Sequence, residues 1–258
     1  VNTLPFVSYE TDLTDGPVSK MSATHDNSYF FLEMETERQL SESDTVMIAF
    51  DTYLQGFGES RLPNGRNLKN RSEFLLTMVL SNDSASYHVT EAYDMNGLTP
   101  RFNLANLAVQ RFYSTISDGA PWVLMNWIND GYTLTSQDIG RVPLEMSNNF
   151  TAGERTAVAW NGNRMKIRIP WTMLYFRDPT QMNVIDGAVS YDGGYNYTIS
   201  VRKSDGIAVS VYFDKQVTSS ESRYTWPAWV SVPATTAQEK KSLEVVRTGL
   251  TAIPDFTD

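Results

Sequence analysis

Apolar and polar residues alternate one by one through much of this chain, and that period of two most constrains its fold. Met165, Ile167 and Ile169 alternate with Arg164, Lys166 and Arg168. Phe30, Leu32 and Met34 share one face, with Glu33 and Glu35 on the other. Val46, Ile48 and Phe50 alternate with Met47, Ala49 and Asp51. Tyr195, Tyr197, Ile199 and Val201 line up, as do Ile207, Val209, Val211 and Phe213. Successive side chains of a strand point to opposite faces, so each segment buries one face and wets the other. Residues 73–80 are more continuously apolar and read as a central strand.

Turn chemistry separates these runs. Asn161-Gly162-Asn163 reads as a tight hairpin, because Asn and Gly accept positive φ. Ser204-Asp205-Gly206 reads as a second one, between residues 199–201 and 207–211. Residues 56–70 read as a long polar loop. Helical periodicity is confined to one turn at residues 171–176, after Pro170, and a short helix at residues 236–250. Many strands with local hairpins give an all-β, two-sheet antiparallel β-sandwich, jelly-roll-like, with a long insertion and little helix. The expected core includes Phe30, Leu32, Val46, Ile48, Phe50, Ile167, Ile169, Ile199, Val209 and Val211. A chain of 258 residues accommodates this as a single domain over residues 1–258. Residues 81–150 read as the insertion and residues 234–258 as a C-terminal extension.

Composition narrows the function. A net charge of -9 repels phosphate backbones and argues against nucleic acid as a partner. Cysteine is absent, which removes disulfides, thiol catalysis and thiolate metal sites. No stretch approaches the roughly 18 apolar residues of a membrane span. The chain opens at Val1 without Met, as a processed or excised piece of a larger protein would.

Catalytic patterns are missing. The two histidines, His25 and His88, sit in neither an HxH nor an HExxH pattern, so a zinc hydrolase is not supported. There is no GxSxG elbow and no P-loop. With 30 acidic residues some carboxylates will always lie close, and no spacing singles out a glycosidase pair. Asp26, Asp51, Asp178, Asp186 and Asp192 fall near expected strand ends, where Asx turns and caps are the first reading. Calcium bound by loop oxygens is the second, without EF-hand-like spacing to support it. No cofactor is required.

The tryptophans offer a binding chemistry instead. Trp122 and Trp127 flank a short apolar run. Trp226 and Trp229 sit in Tyr224-Thr225-Trp226-Pro227-Ala228-Trp229, beyond the last clear strand. Exposed rings stack on the C–H faces of sugars, while neighbouring polar groups fix orientation. The competing reading is packing in the core or beneath loops. The expected ligand platform is Trp122, Trp127, Tyr224, Trp226 and Trp229. Trp171, following Pro170 at a strand end, is expected to be structural, with its indole N–H paired.

The segment Thr24-His25-Asp26-Asn27-Ser28-Tyr29-Phe30-Phe31-Leu32 resembles the opening strand of family-nine carbohydrate-binding modules and related DOMON-like sandwiches. Asp44-Thr45-Val46-Met47-Ile48-Ala49-Phe50-Asp51 resembles their next signature. Ile167-Arg168-Ile169-Pro170-Trp171-Thr172-Met173-Leu174 is similar to a later strand that runs into a turn through Trp. The resemblance implies a non-catalytic carbohydrate-binding accessory domain of a larger bacterial extracellular, cell-surface or periplasmic protein, packed beside a parent-chain domain. Sugar-binding members clamp the ligand between two aromatics, one just before the second signature. Here Gln39-Leu40-Ser41-Glu42-Ser43 holds no aromatic, so no ligand residue is carried over. The alternatives are a structural or interaction domain without sugar binding, packed on a glycoside hydrolase or glycosyltransferase; a catalytic carbohydrate-active protein; and a heme-binding DOMON relative.

Overall fold

A computed structural model describes residues 9–12, 16–95, 114–130, 134–150, 156–191 and 197–229. The chain divides into two compact units, Val1–Pro227 and Ala228–Asp258. The first holds every strand described below.

In chain order the strands begin with β1 (Tyr9–Asp12), β2 (Val18–His25), β3 (Tyr29–Thr36), β4 (Thr45–Asp51), β5 (Gly58–Arg61), β6 (Asn67–Ser72) and β7 (Phe74–Val79). There follow β8 (Ser84–Thr90), β9 (Ile116–Ser117), β10 (Trp122–Leu124), β11 (Asn126–Asp130), β12 (Leu134–Asp138) and β13 (Arg141–Met146). The last are β14 (Val158–Asn161), β15 (Arg164–Pro170), β16 (Phe176–Asp178), β17 (Asn183–Tyr191), β18 (Tyr197–Lys203), β19 (Ala208–Phe213) and β20 (Gln216–Ser219). Helix among the described residues is limited to 3-10 turns at Glu91–Tyr93, Trp171–Leu174 and Pro179–Gln181.

The fold is all-β and sandwich-like. One hydrogen-bonded path runs β1-β2-β3-β15-β14-β13-β8-β7-β4-β19-β20, with β10 added on β8. The path turns the corner inside β13. Arg141, Val142 and Pro143 pair with β8, while Leu144, Glu145 and Met146 pair with β14. The first layer is therefore β1-β2-β3-β15-β14, and the second is β8-β7-β4-β19-β20. Described neighbours on the path are antiparallel except β13 and β14. Between the layers, Phe30 meets Phe50 edge to face, with centroids 6.2 Å apart.

The alternation sorts residues as the sequence suggests. Phe30, Leu32, Val46, Ile48, Phe50, Ile167, Ile169, Val209 and Val211 are all buried. The Ile199 side chain lies outside the described residues, as does the helix expected at residues 236–250. The turn at Asn161-Gly162-Asn163 joins β14 to β15, with Gly162 at φ 61°. The chain turns after Pro170 as expected, and Trp171 is buried with its indole N–H donating to the Asp26 carbonyl at 2.9 Å.

Three expectations change. Residues 56–70 contain the paired strands β5 and β6, not a loop. Leu62 and Leu68 of this hairpin pack on Ala49 and Leu75, forming a third layer outside the second sheet. Ser204-Asp205-Gly206 does not close a hairpin, because β18 pairs with β17 while β19 pairs with β4 and β20. Residues 81–150, read as an insertion, supply β8 and β13 to the main path; β11 and β12 form a separate ribbon.

Candidate functional site

Tyr224 and Trp226 lie inside the first unit, 2% and 5% exposed. Tyr224 bridges Ile207 through two backbone hydrogen bonds, so the chain beyond β20 folds back over the sandwich end. Trp226 donates its indole N–H to the Pro179 carbonyl at 2.7 Å. Its ring centroid lies 5.1 Å from Trp171, 5.2 Å from His25 and 5.5 Å from Phe176. These two rings therefore seal the sandwich end instead of forming the loop platform that their position after the last strand suggests. Trp122 lies elsewhere, half-buried on the outer face of the second layer, against the Ala49–Leu62–Leu68–Leu75 cluster. Its indole N–H donates to the Arg61 carbonyl at 2.8 Å. The Trp127 side chain is outside the described residues, and Trp229 is a half-buried residue of the second unit. The five residues do not assemble into one described platform.

Aromatic rings do gather on the outer face of the first layer. Tyr29 and Phe31 occupy outward positions of β3, where alternation ordinarily places polar residues. Their centroids are 6.0 Å apart, and Phe31 lies 6.5 Å from Phe150. Phe150 follows a short segment held to the sheet by hydrogen bonds from Lys166 to Asn149 at 2.7 Å and from Asn161 to Asn148 at 3.1 Å. Arg168, paired with Phe31 across β15 and β3, places its guanidinium 4.7 Å from the Phe150 centroid and 5.5 Å from that of Tyr29. Its Nε donates to the Thr156 carbonyl at 2.6 Å, which fixes the side chain over the rings. All four side chains are partly exposed. Further along the same face the residues are ionic, with Arg164 bonded to Glu35 at 2.8 Å.

The second unusual feature is a set of buried carboxylates where β4 ends and β7 begins. Glu73, 0% exposed, accepts the Thr52 N–H at 2.9 Å, the Tyr53 N–H at 3.3 Å and the Ser114 hydroxyl at 2.8 Å. Asp51, 1% exposed, accepts two guanidinium bonds from Arg223, at 2.5 and 3.0 Å. Burial raises both carboxyls, and their mutual repulsion adds to the rise at Glu73. Arg223 pulls Asp51 back down, so the charge stays on Asp51 and the proton favours Glu73. Glu59 is buried too and accepts the N–H groups of Ser60, Arg61 and Ala120. Nearby, the Tyr53 hydroxyl donates to Asp186, which also pairs with Arg202 at 3.2 Å.

This network anchors loops. Its acceptors are taken by backbone, hydroxyl and guanidinium donors, the arrangement that lets a buried carboxylate be tolerated. Asp26 accepts the Ser28 and Tyr29 N–H groups, an Asx turn, and Asp178 caps the turn at Thr180. Asp51 and Asp186, expected as turn residues, form ion pairs instead; Asp192 lies outside the described residues. Among the described residues no group of three His, Cys, Asp or Glu is placed to hold a metal ion. No described helix is long and apolar enough to cross a membrane. No family model, no curated protein and no solved structure matches this chain.

Proposed function

We propose that this chain is a non-catalytic carbohydrate-binding domain of a larger bacterial extracellular, surface or periplasmic protein, and that the glycan lies on the outer face of the first layer. The observation behind this reading is the strip of Tyr29, Phe31 and Phe150, with Arg168 fixed among the rings. Partly exposed rings in a row suit the C–H faces of sugars, and flanking cationic and amide groups suit their hydroxyls. Tyr29, Phe31 and Arg168 stand on the paired strands β3 and β15, which limits the ordering lost on binding. No metal or cofactor enters the reading.

The test is calorimetry or NMR titration of the intact chain against a panel of soluble glycans. Binding is expected at micromolar to millimolar strength, about -4 to -8 kcal/mol. Phe31→Ala and Phe150→Ala should each weaken it about three- to tenfold, the scale of one aromatic contact, while circular dichroism stays unchanged. No binding across the panel, or binding indifferent to both substitutions, would replace this reading with the second one. That reading is a structural or interaction domain packed on a carbohydrate-active enzyme. The burial of Tyr224 and Trp226 favours it, since they serve as packing.

A further inference from the structure

We propose that His25 is an acid-sensitive latch: protonation of its buried ring releases the segment Tyr224–Trp226 from the sandwich end while the sheets stay folded. His25 ends β2 and is buried. Its Nδ1 shares a 2.5 Å hydrogen bond with the Tyr224 hydroxyl. Trp171, Tyr224 and Trp226 surround the ring at centroid distances of 5.7, 5.9 and 5.2 Å. They meet it at 62°, 66° and 44°, edge-on or tilted.

A neutral imidazole can accept the tyrosine proton at Nδ1, whereas an imidazolium donates from both nitrogens. In the tautomer whose Nδ1 accepts, protonation reverses the 2.5 Å bond; in either tautomer it puts a charge among indole and phenol rings, where burial disfavours it. Asp26, the residue after β2, and Tyr224, on the segment, are charged or titratable groups that face the ring. The 3-10 turn contributes the neutral Trp171. Asp26 favours the charged ring, but its Oδ1 already accepts the Ser28 and Tyr29 N–H groups. Desolvation outweighs it and holds the histidine down to about 4.

The segment has a natural hinge. Arg223 stays tied to Asp51, so release of the chain beyond it is confined to giving up the two Tyr224–Ile207 backbone hydrogen bonds ahead of β19. This device is independent of any sugar site.

The test is amide exchange by mass spectrometry on the full chain, with rates normalised to the intrinsic rate at each pH. Between pH 7 and 4, protection of residues 220–229 should fall at least tenfold while β3 and β15 keep theirs. His25→Phe should abolish the fall. A wild-type segment that stays protected at pH 4, or one that loosens equally in His25→Phe, overturns the latch. Tyr224→Phe serves should His25→Phe fail to fold. Without the hydroxyl that supports the neutral ring, the loosening should move to higher pH; an unmoved midpoint overturns the proposal. With only two histidines in the chain, the ring titration of His25 can be followed directly by NMR of ¹⁵N-labelled histidine.

Discussion

Phe30 and Phe31 are chain neighbours with opposite surroundings. Phe30 is buried against Phe50, Trp171 and Tyr224, whereas Phe31 shares a partly exposed face with Tyr29 and Phe150. The pleat alone makes the difference, because adjacent strand residues point to opposite faces. Trp226 shows the same dependence on surroundings. Its position after the last strand suggests a loop, yet its ring contacts four other rings and its N–H is paired. Trp226→Ala should therefore cost about 3–5 kcal/mol of stability, the range for emptying a large aromatic site. Urea unfolding measures it through the shift in midpoint at unchanged m-value. A loss below about 1 kcal/mol, as for an ordinary surface substitution, would mean that the ring is not packed in solution as described.

The β5–β6 hairpin is the element that alternation missed, and Gly58 is its weak point. Gly58 has φ +87°, and a Cβ there would lie 2.6 Å from the Ser72 carbonyl and 2.9 Å from Glu73 Oε1. Gly58→Ala combines backbone strain with a clash against the partner strand, so it should destabilise by more than about 1 kcal/mol. Gly65, at the hairpin turn, has open space around it. Gly65→Ala meets only the positive-φ penalty and should cost less; the two thermal midpoints, compared directly, test the contrast. The hairpin was illegible because it is a half-wet third layer whose apolar contribution to the outer cluster is Leu62 and Leu68, amid Asn, Lys and Arg. By contrast β3, β4, β15 and β19 were legible, since one face of each meets the core. Ser204-Asp205-Gly206 has hairpin chemistry, but its flanking strands pair elsewhere, with β17 and β4. Pairing between distant segments leaves no local trace. The candidate site divides similarly. Tyr29 and Phe31 stand out in the sequence as aromatics at wet positions of a strand, whereas the approach of Phe150 to Arg168 joins residues far apart in the chain and leaves no local trace.

At the scale of the whole molecule, His25 and Glu73, both buried, pull stability in opposite directions with pH. His25 has its folded value depressed from 6.5 to about 4, chiefly by burial. Its contribution is complete above 6.5 and is lost as pH falls from there towards 4. Glu73 has its folded value raised from 4.5 to about 8, by burial and then by Asp51. Its protonated form belongs to the folded state, so its contribution is complete below 4.5 and is lost as pH rises through 8. The two effects oppose each other between 4.5 and 6.5, and above 6.5 the Glu73 effect remains without that offset. Wild-type stability should therefore decline from pH 6.5 to 8. Glu73→Gln tests the cause. Its amide oxygen can accept the Thr52 and Tyr53 N–H groups, and its NH₂ can donate to the Ser114 hydroxyl, so the loop anchors survive without a charge to bury. The difference in thermal midpoint between Glu73→Gln and wild type should grow in favour of the variant as pH rises through this window. A difference that stays constant, or that grows towards low pH, would place the ionised carboxylate in the folded state and make Glu73 an ordinary charged anchor.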